Sequence, residues 1–172
     1  VWGVAVFNDE LYVVCQRSNI IQVFDSRPPF SRREDIKVQG LEDASDITVC
    51  SKSSQLYIAD WKQCAIWRVN LLSIEPADKF ITIQWQPRSL SVNSSRLLIT
   101  PDEGSSLHLY GDDGNELHHI ELPRYMWATH AVEKTHNTYL VSYINSFDDD
   151  VPHRDSVSEV DVNGRVIRTF ND

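Results

Sequence analysis

The chain repeats itself at a period of about forty residues, and no other property narrows its range of folds so far. Val6, Val49 and Val92 stand 43 residues apart, and Val132 follows 40 residues after the third. Around each lies the same succession of four short apolar segments. The first copy reads Gly3-Val4-Ala5-Val6, Leu11-Tyr12-Val13-Val14, Ile20 to Phe24, and Ile36-Lys37-Val38. The second reads Asp46-Ile47-Thr48-Val49, Leu56-Tyr57-Ile58-Ala59, Ala65 to Val69, and Phe80 to Ile83. The third reads Ser89-Leu90-Ser91-Val92, Leu97 to Thr100, Leu107 to Tyr110, and Leu117 to Leu122. The fourth is the loosest, with His130-Ala131-Val132, Tyr139 to Ser142, Val157 to Val160, and Val166 to Phe170.

Within these segments apolar and polar residues alternate, and β-branched and aromatic types dominate, which is the pattern of a strand. Turn residues separate them: Asn8-Asp9, Ser51 to Ser54, Asn93-Ser94-Ser95, Asp112-Asp113-Gly114-Asn115 and Asn163-Gly164. Short antiparallel strands recurring as a unit of four predict an all-β fold, a β-propeller, in which each sheet buries its faces against its neighbours. The blades are expected at residues 1–40, 41–83, 84–123 and 124–172 of one domain. A β-sandwich requires no recurrence of the whole four-strand unit and is disfavoured.

Val4-Ala5-Val6, Leu11-Tyr12-Val13 and Ile20-Ile21-Gln22-Val23-Phe24-Asp25 resemble the phrases of the NHL repeat, and Leu56-Tyr57-Ile58-Ala59-Asp60 matches its second phrase closely. Asp60-Trp61 and Arg68-Val69-Asn70-Leu71 are also similar to the YWTD propellers of lipoprotein-receptor ectodomains. Cys15 and Pro101 stand where Asp60 stands in the second copy, so the pattern loosens there. The resemblance implies an NHL-like ring of about six blades, of which four lie in this sequence. A closed four-bladed ring is disfavoured, because the first copy begins at its innermost strand and the last finishes its outermost, with no strand to spare. Apolar sides of blades one and four are then expected to be uncovered, to be met by the missing blades, by a partner or by self-association through them.

Charge bears on partners. Sixteen basic and 25 acidic side chains give a net charge of −9 and a pI near 5.0, which opposes the phosphate neutralisation that nucleic-acid binding rests on. Cys15, Cys50 and Cys64 include no Cys-x-x-Cys pair and allow one bridge at most. No apolar run approaches the roughly eighteen residues of a membrane-spanning helix. The compartment stays open, with the cytoplasm favoured. A start at Val1 within a strand pattern suggests a segment of something longer.

In a propeller, one rim gathers the loops between second and third strands with the connections into the next blade. Trp2, Trp61, Trp85 and Trp127 map to that rim, while Trp67 lies within a strand and reads as packing. Tryptophan, tyrosine and arginine dominate interface hot spots, so Trp61, Trp85, Arg88, Arg124, Tyr125 and Trp127 form the candidate binding surface. The blander reading has these rings filling gaps between blades. Asp148, Asp149 and Asp150 with His153 and Asp155 offer oxygen ligands for calcium, but they lack the spacing of a dedicated calcium loop, which favours a solvated loop. His108, His118, His119, His130 and His136 suggest zinc without any His-x-x-x-His or cysteine spacing to support it. His130 stands where Val4, Ile47 and Leu90 stand in the other copies, and is expected near the propeller axis, lining a channel or hydrogen-bonded within its strand.

No Ser-His-Asp order and no Gly-x-Ser-x-Gly elbow is present. The first expectation is therefore a protein-interaction module, implied further by the NHL propellers that select targets for RING-type ubiquitin ligases. The alternative is a metal-dependent enzyme of the lactonase or lyase type with its metal near His130. RNA binding through the rim, known among NHL propellers, ranks third.

Overall fold

The computed structural model describes residues 1–145 and 155–170. Among them every regular element is a strand, and the strands form four antiparallel sheets of four. In the first, β1 (Gly3–Phe7), β2 (Glu10–Val14), β3 (Ile20–Asp25) and the short β4 (Ile36–Lys37) pair in chain order. The second repeats this with β5 (Ala44–Cys50), β6 (Gln55–Asp60), β7 (Ala65–Asn70) and β8 (Asp78–Thr82). The third holds β9 (Pro87–Asn93), β10 (Arg96–Pro101), β11 (Ser106–Tyr110) and β12 (Glu116–Glu121). The fourth holds β13 (Met126–Thr135), β14 (Thr138–Asn145), β15 (Asp155–Asp161) and β16 (Val166–Phe170).

The tight turns follow from their residues. Asn8 and Asp9, at φ of 46° and 64°, join β1 to β2, and Ser94 and Ser95, at 51° and 69°, join β9 to β10. Two successive residues in the left-handed region make the turn whose twist suits a hairpin. Between β11 and β12, the Gly114 N–H donates to the Gly111 carbonyl at 3.1 Å, and Asp113 Oδ1 accepts the Asn115 N–H at 3.0 Å.

The chain divides into two compact units, Val1–Leu90 and Ser91–Asp172, with the boundary inside β9. The first unit packs Tyr12, Val14, Ile21 and Val23 of the first sheet with Ile47, Leu56, Ile58 and Trp67 of the second. Trp67 is buried in this core, as its position within a strand implies. Close approach of β1 to β5 depends on Gly3, where a Cβ would come within 2.7 Å of the Ile47 backbone nitrogen. Beside it, Asp46 Oδ1 accepts the Ile47 N–H and Oδ2 the Leu90 N–H, both at 2.8 Å.

The second unit packs Leu98, Leu107, Leu109 and Ile120 of the third sheet with Met126, Ala131, Tyr139, Val141 and Val160 of the fourth. Beside this core the Arg96 guanidinium pairs with Glu133, whose side chain is 2% exposed. The turn after β15 abuts the outer edge of β12. Gly164 sits there at φ 74°, where a Cβ would lie 1.8 Å from the Glu121 carbonyl oxygen.

Two segments depart from the sequence reading, and each has a physical cause. β13 begins earlier and β14 ends later than their hydrophobic patterns indicate, pairing Met126 with Asn145, so Trp127 and Thr129 lie in β13 rather than in the connection before it. Arg88 likewise lies within β9. The second departure concerns His130. A bulge between Ala128 and His130 inserts a residue, as does the bulge between Ala44 and Asp46 in β5. After each bulge the buried strand residues are Ala131, opposite Val141, and Ile47, opposite Ile58. Ala131, not His130, therefore takes the apolar position of Ile47, and His130 is exposed. The expected alignment was one residue out, because β13 carries a second irregularity, between Glu133 and Thr135, that β5 lacks and that a count of strand residues does not reveal.

Large apolar side chains are exposed on the first and fourth sheets. Val4 and Val6 project from β1, and Val166, Ile167 and Phe170 from β16.

Candidate functional site

In the first unit, the end of the second sheet is built around one buried carboxylate. Asp60, fully buried at the end of β6, accepts the N–H of Glu42 at 3.0 Å, of Asp43 at 3.2 Å and of Gln63 at 3.2 Å, and the indole N–H of Trp67 at 3.2 Å. The loop between β6 and β7 is thereby tied to the connection that enters β5. Trp61 closes the same junction, donating its backbone N–H to the Asp43 carbonyl at 2.9 Å while its ring remains 37% exposed. Around it, Gln63 Nε2 donates to the Gly40 carbonyl at 2.7 Å and to Glu42 Oε1 at 2.8 Å, and Lys62 pairs with Glu42. The Lys62 hydrogen bond, supported by Gln63, holds the Glu42 carboxyl below the ordinary carboxylate range. Arg17, in the loop after β2, donates its backbone N–H to Asp43 Oδ1 at 3.0 Å, bringing the first sheet's loop to the same connection. Trp85, just before β9, and Arg88, within it, are half-buried.

In the second unit, Arg124, Tyr125 and Trp127 occupy the turn into β13 and its first residues. Met126, between the two aromatics, is fully buried, and its N–H donates to the Pro123 carbonyl at 2.8 Å. The anchored turn presents Tyr125 and Trp127 outward, each 40% exposed. Trp127 Nε1 donates to the Asp102 carbonyl at 2.9 Å, and Ser105 Oγ donates to the Arg124 carbonyl at 3.2 Å. Both bonds bind the loop between β10 and β11 to the turn. Tyr125 stands edge-on to Tyr143, with ring centroids 6.3 Å apart. The six candidate surface residues thus fall into two groups, Trp61, Trp85 and Arg88 in one unit and Arg124, Tyr125 and Trp127 in the other.

The histidines behave differently from one another. His130 is exposed on β13 opposite Ser142, while Thr129 at the bulge donates to the Ser142 carbonyl at 3.1 Å. His118 Nε2 lies 2.8 Å from the Val162 carbonyl. His108 and His119 face each other across β11 and β12, with ring centroids 4.4 Å apart. Glu116 joins them, its Oε1 lying 2.7 Å from His108 Nδ1. Among the described residues, these three form the one group of His, Cys, Asp and Glu close enough to share a metal ion. Burial pulls the His108 imidazole below its ordinary pKa, against the opposing pull of the Glu116 hydrogen bond. Burial and the Glu116 charge push the neighbouring Tyr110 phenol up to about 12, so that it remains protonated. No local spacing announces this group, because its members meet across a hairpin. The proposed calcium ligands Asp148, Asp149, Asp150 and His153 lie outside the described residues.

Comparison with known proteins identifies the architecture. No protein-family model matches the chain, and no curated protein matches it. Solved structures do. Over 98% of its length the chain superposes on hydrazine synthase of Kuenenia stuttgartiensis at a TM-score of 0.76 and 12% identity, covering 48% of that chain. Over 99% it superposes on a chain of the nidogen/laminin complex at 0.75 and 16% identity, covering 63% of that chain. A protein from Lactobacillus plantarum matches over 98% at 0.68 and 11% identity, with 54% of its length covered. The fold is that of a β-propeller. Each four-stranded sheet is one of its blades. The chain spans about half to two thirds of the length of these solved structures. At such identities the likeness is one of fold.

Proposed function

We propose that this propeller is a protein-interaction module and that it engages its partner through the aromatic surface at the loop ends of its blades. The observation that carries this reading is the turn of Arg124, Tyr125 and Trp127. There the Trp127 indole is held by its bond to the Asp102 carbonyl and Tyr125 stands edge-on to Tyr143, and both rings stay 40% exposed instead of being used as core. Rings fixed in this way lose little conformational freedom on binding, and a flanking arginine adds hydrogen-bonding reach. Trp61, whose backbone is tied into the junction of the first unit, offers that unit an exposed ring of its own. The structural likeness to nidogen, solved in complex with laminin, is in keeping with a propeller that binds protein.

The finer reading is target selection of the kind performed by NHL propellers in ubiquitin ligases. It rests on the NHL-like phrases in the first two blades, Leu56-Tyr57-Ile58-Ala59-Asp60 above all. Affinity capture with wild type, with Y125A/W127A and with W85A/R88A tests the surface. Partners enriched by wild type should be lost or reduced at least tenfold in Y125A/W127A, and reduced in W85A/R88A. Equal recovery by all three proteins would remove the surface from the account.

A further inference from the structure

We propose that His108, Glu116 and His119 form a binding site for a divalent first-row transition cation, with zinc the best fit, on the outer strand pair of the third blade. The site is independent of the aromatic surface, so either can fail alone.

Strand register brings the ligands together. On one face of β11 and β12 the paired residues run Ser106 with Glu121, His108 with His119 and, past the bulge at Leu109 and Tyr110, Tyr110 with Glu116. Residues directly opposite on an antiparallel pair carry their Cβ atoms about 5 Å apart. Two imidazoles so placed converge on one point. The other face of β11 and β12 contributes Leu107, Leu109 and Ile120 to the core, which fixes this face as the polar one. The bulge draws Glu116 up to the histidines. One ligand atom from each of the three residues lies within 4.8 Å of the other two.

Ligand chemistry selects the ion. Two imidazole nitrogens and one carboxylate oxygen suit zinc and its first-row neighbours, whereas calcium and magnesium favour oxygen donors throughout. In a tetrahedral zinc site the ligand atoms stand about 3.3 Å apart, so the 2.7 Å between His108 Nδ1 and Glu116 Oε1 must open by about half an ångström while His119 adjusts toward both. The Glu116 and His119 side chains are 41% and 45% exposed and free to swing inward, while the buried His108 provides the fixed point. Three protein ligands leave a fourth position for water or an external donor.

Neighbouring groups are placed as a metal site requires. Ser106 Oγ lies 3.2 Å from His108 Nε2, and Glu121 Oε1 lies 3.0 Å from His119 Nε2. Partners of this kind orient ligating rings and fix their tautomer. Without metal, a proton on His108 Nδ1 is shared with Glu116. The cation replaces that proton between nitrogen and carboxylate, and the ring then carries its proton on Nε2, with Ser106 Oγ as acceptor.

Isothermal titration of the whole chain with zinc chloride tests the site, using wild type, H119Q, E116Q and the control H130Q. Wild type should bind one ion, with an affinity reduced at least tenfold in H119Q and E116Q and unchanged in H130Q. Zinc should raise the thermal midpoint of wild type and H130Q more than that of the two ligand variants. A hundredfold excess of calcium chloride should not displace it. Because positions 116 and 119 are exposed, both variants are expected to fold, and circular dichroism verifies this. The proposal fails if wild type binds no stoichiometric zinc, if H119Q binds as tightly as wild type, if H130Q is weakened as much as H119Q, or if calcium competes.

Discussion

Single residues decide how the blade ends hold their shape, and Asp60 shows how much one side chain can carry. Each of its oxygens accepts two hydrogen bonds: Oδ1 from the Asp43 and Gln63 amides, Oδ2 from the Glu42 amide and the Trp67 indole. A carboxylate offers acceptors on both oxygens, whereas an asparagine would turn one of them into a donor facing two donors. D60N is therefore expected to lower stability by about 3 kcal/mol, measured by urea denaturation. A variant as stable as wild type would show that the junction is held by other contacts. Asp60 was visible in the sequence as the end of the NHL-like phrase, but its four partners were not, because they come from three separate segments. The corresponding positions hold Cys15 and Pro101 in the first and third blades, neither of which can accept four donors.

At the scale of elements, the strands were largely legible and their offsets were not. Alternation and turn chemistry indicate the hairpins at Asn8-Asp9 and Ser94-Ser95, and both adopt the left-handed pairs expected of tight hairpin turns. Bulges are another matter. An irregularity between Glu133 and Thr135, which β5 lacks, shifted His130 out of the position of Ile47, and one at Leu109 and Tyr110 brought Glu116 beside His108. Neither follows from spacing, since a bulge is specified by the pairing of two strands. Packing of β10 against β13 adds the Arg96 and Glu133 ion pair, also unforeseen, in which Glu133 Oε2 is buried without a hydrogen-bond partner. Removing one member leaves an uncompensated buried charge, while replacing both with apolar residues of similar volume removes the desolvation cost as well. R96M is expected to destabilise the protein by about 3 kcal/mol, and R96M/E133L to lie within about 1 kcal/mol of wild type, both measured by thermal denaturation. A double variant as unstable as R96M would contradict this account of the pair.

For the whole molecule, the forty-residue period carried the fold. Sheets built from one repeated four-strand unit are the physical content of a propeller, and neither a sequence family nor a close relative was needed to see it. The aromatic surface was legible in part. Tryptophans could be assigned to loop ends by counting strands, but which rings stay exposed depends on local anchoring such as the bond from Trp127 to the Asp102 carbonyl. Acidic charge, a net −9 over the chain, opposes the phosphate neutralisation that RNA binding rests on. The central claim is that a protein partner covers the anchored aromatics at the loop ends of the blades. Hydroxyl-radical footprinting of the chain, alone and in complex with a captured partner, tests it most directly. Protection of Tyr125 and Trp127, with unchanged reactivity at the hairpin turns 8–9, 51–54 and 94–95, is the predicted result. Protection confined to those turns, with Tyr125 and Trp127 as reactive as in the unbound chain, would contradict it.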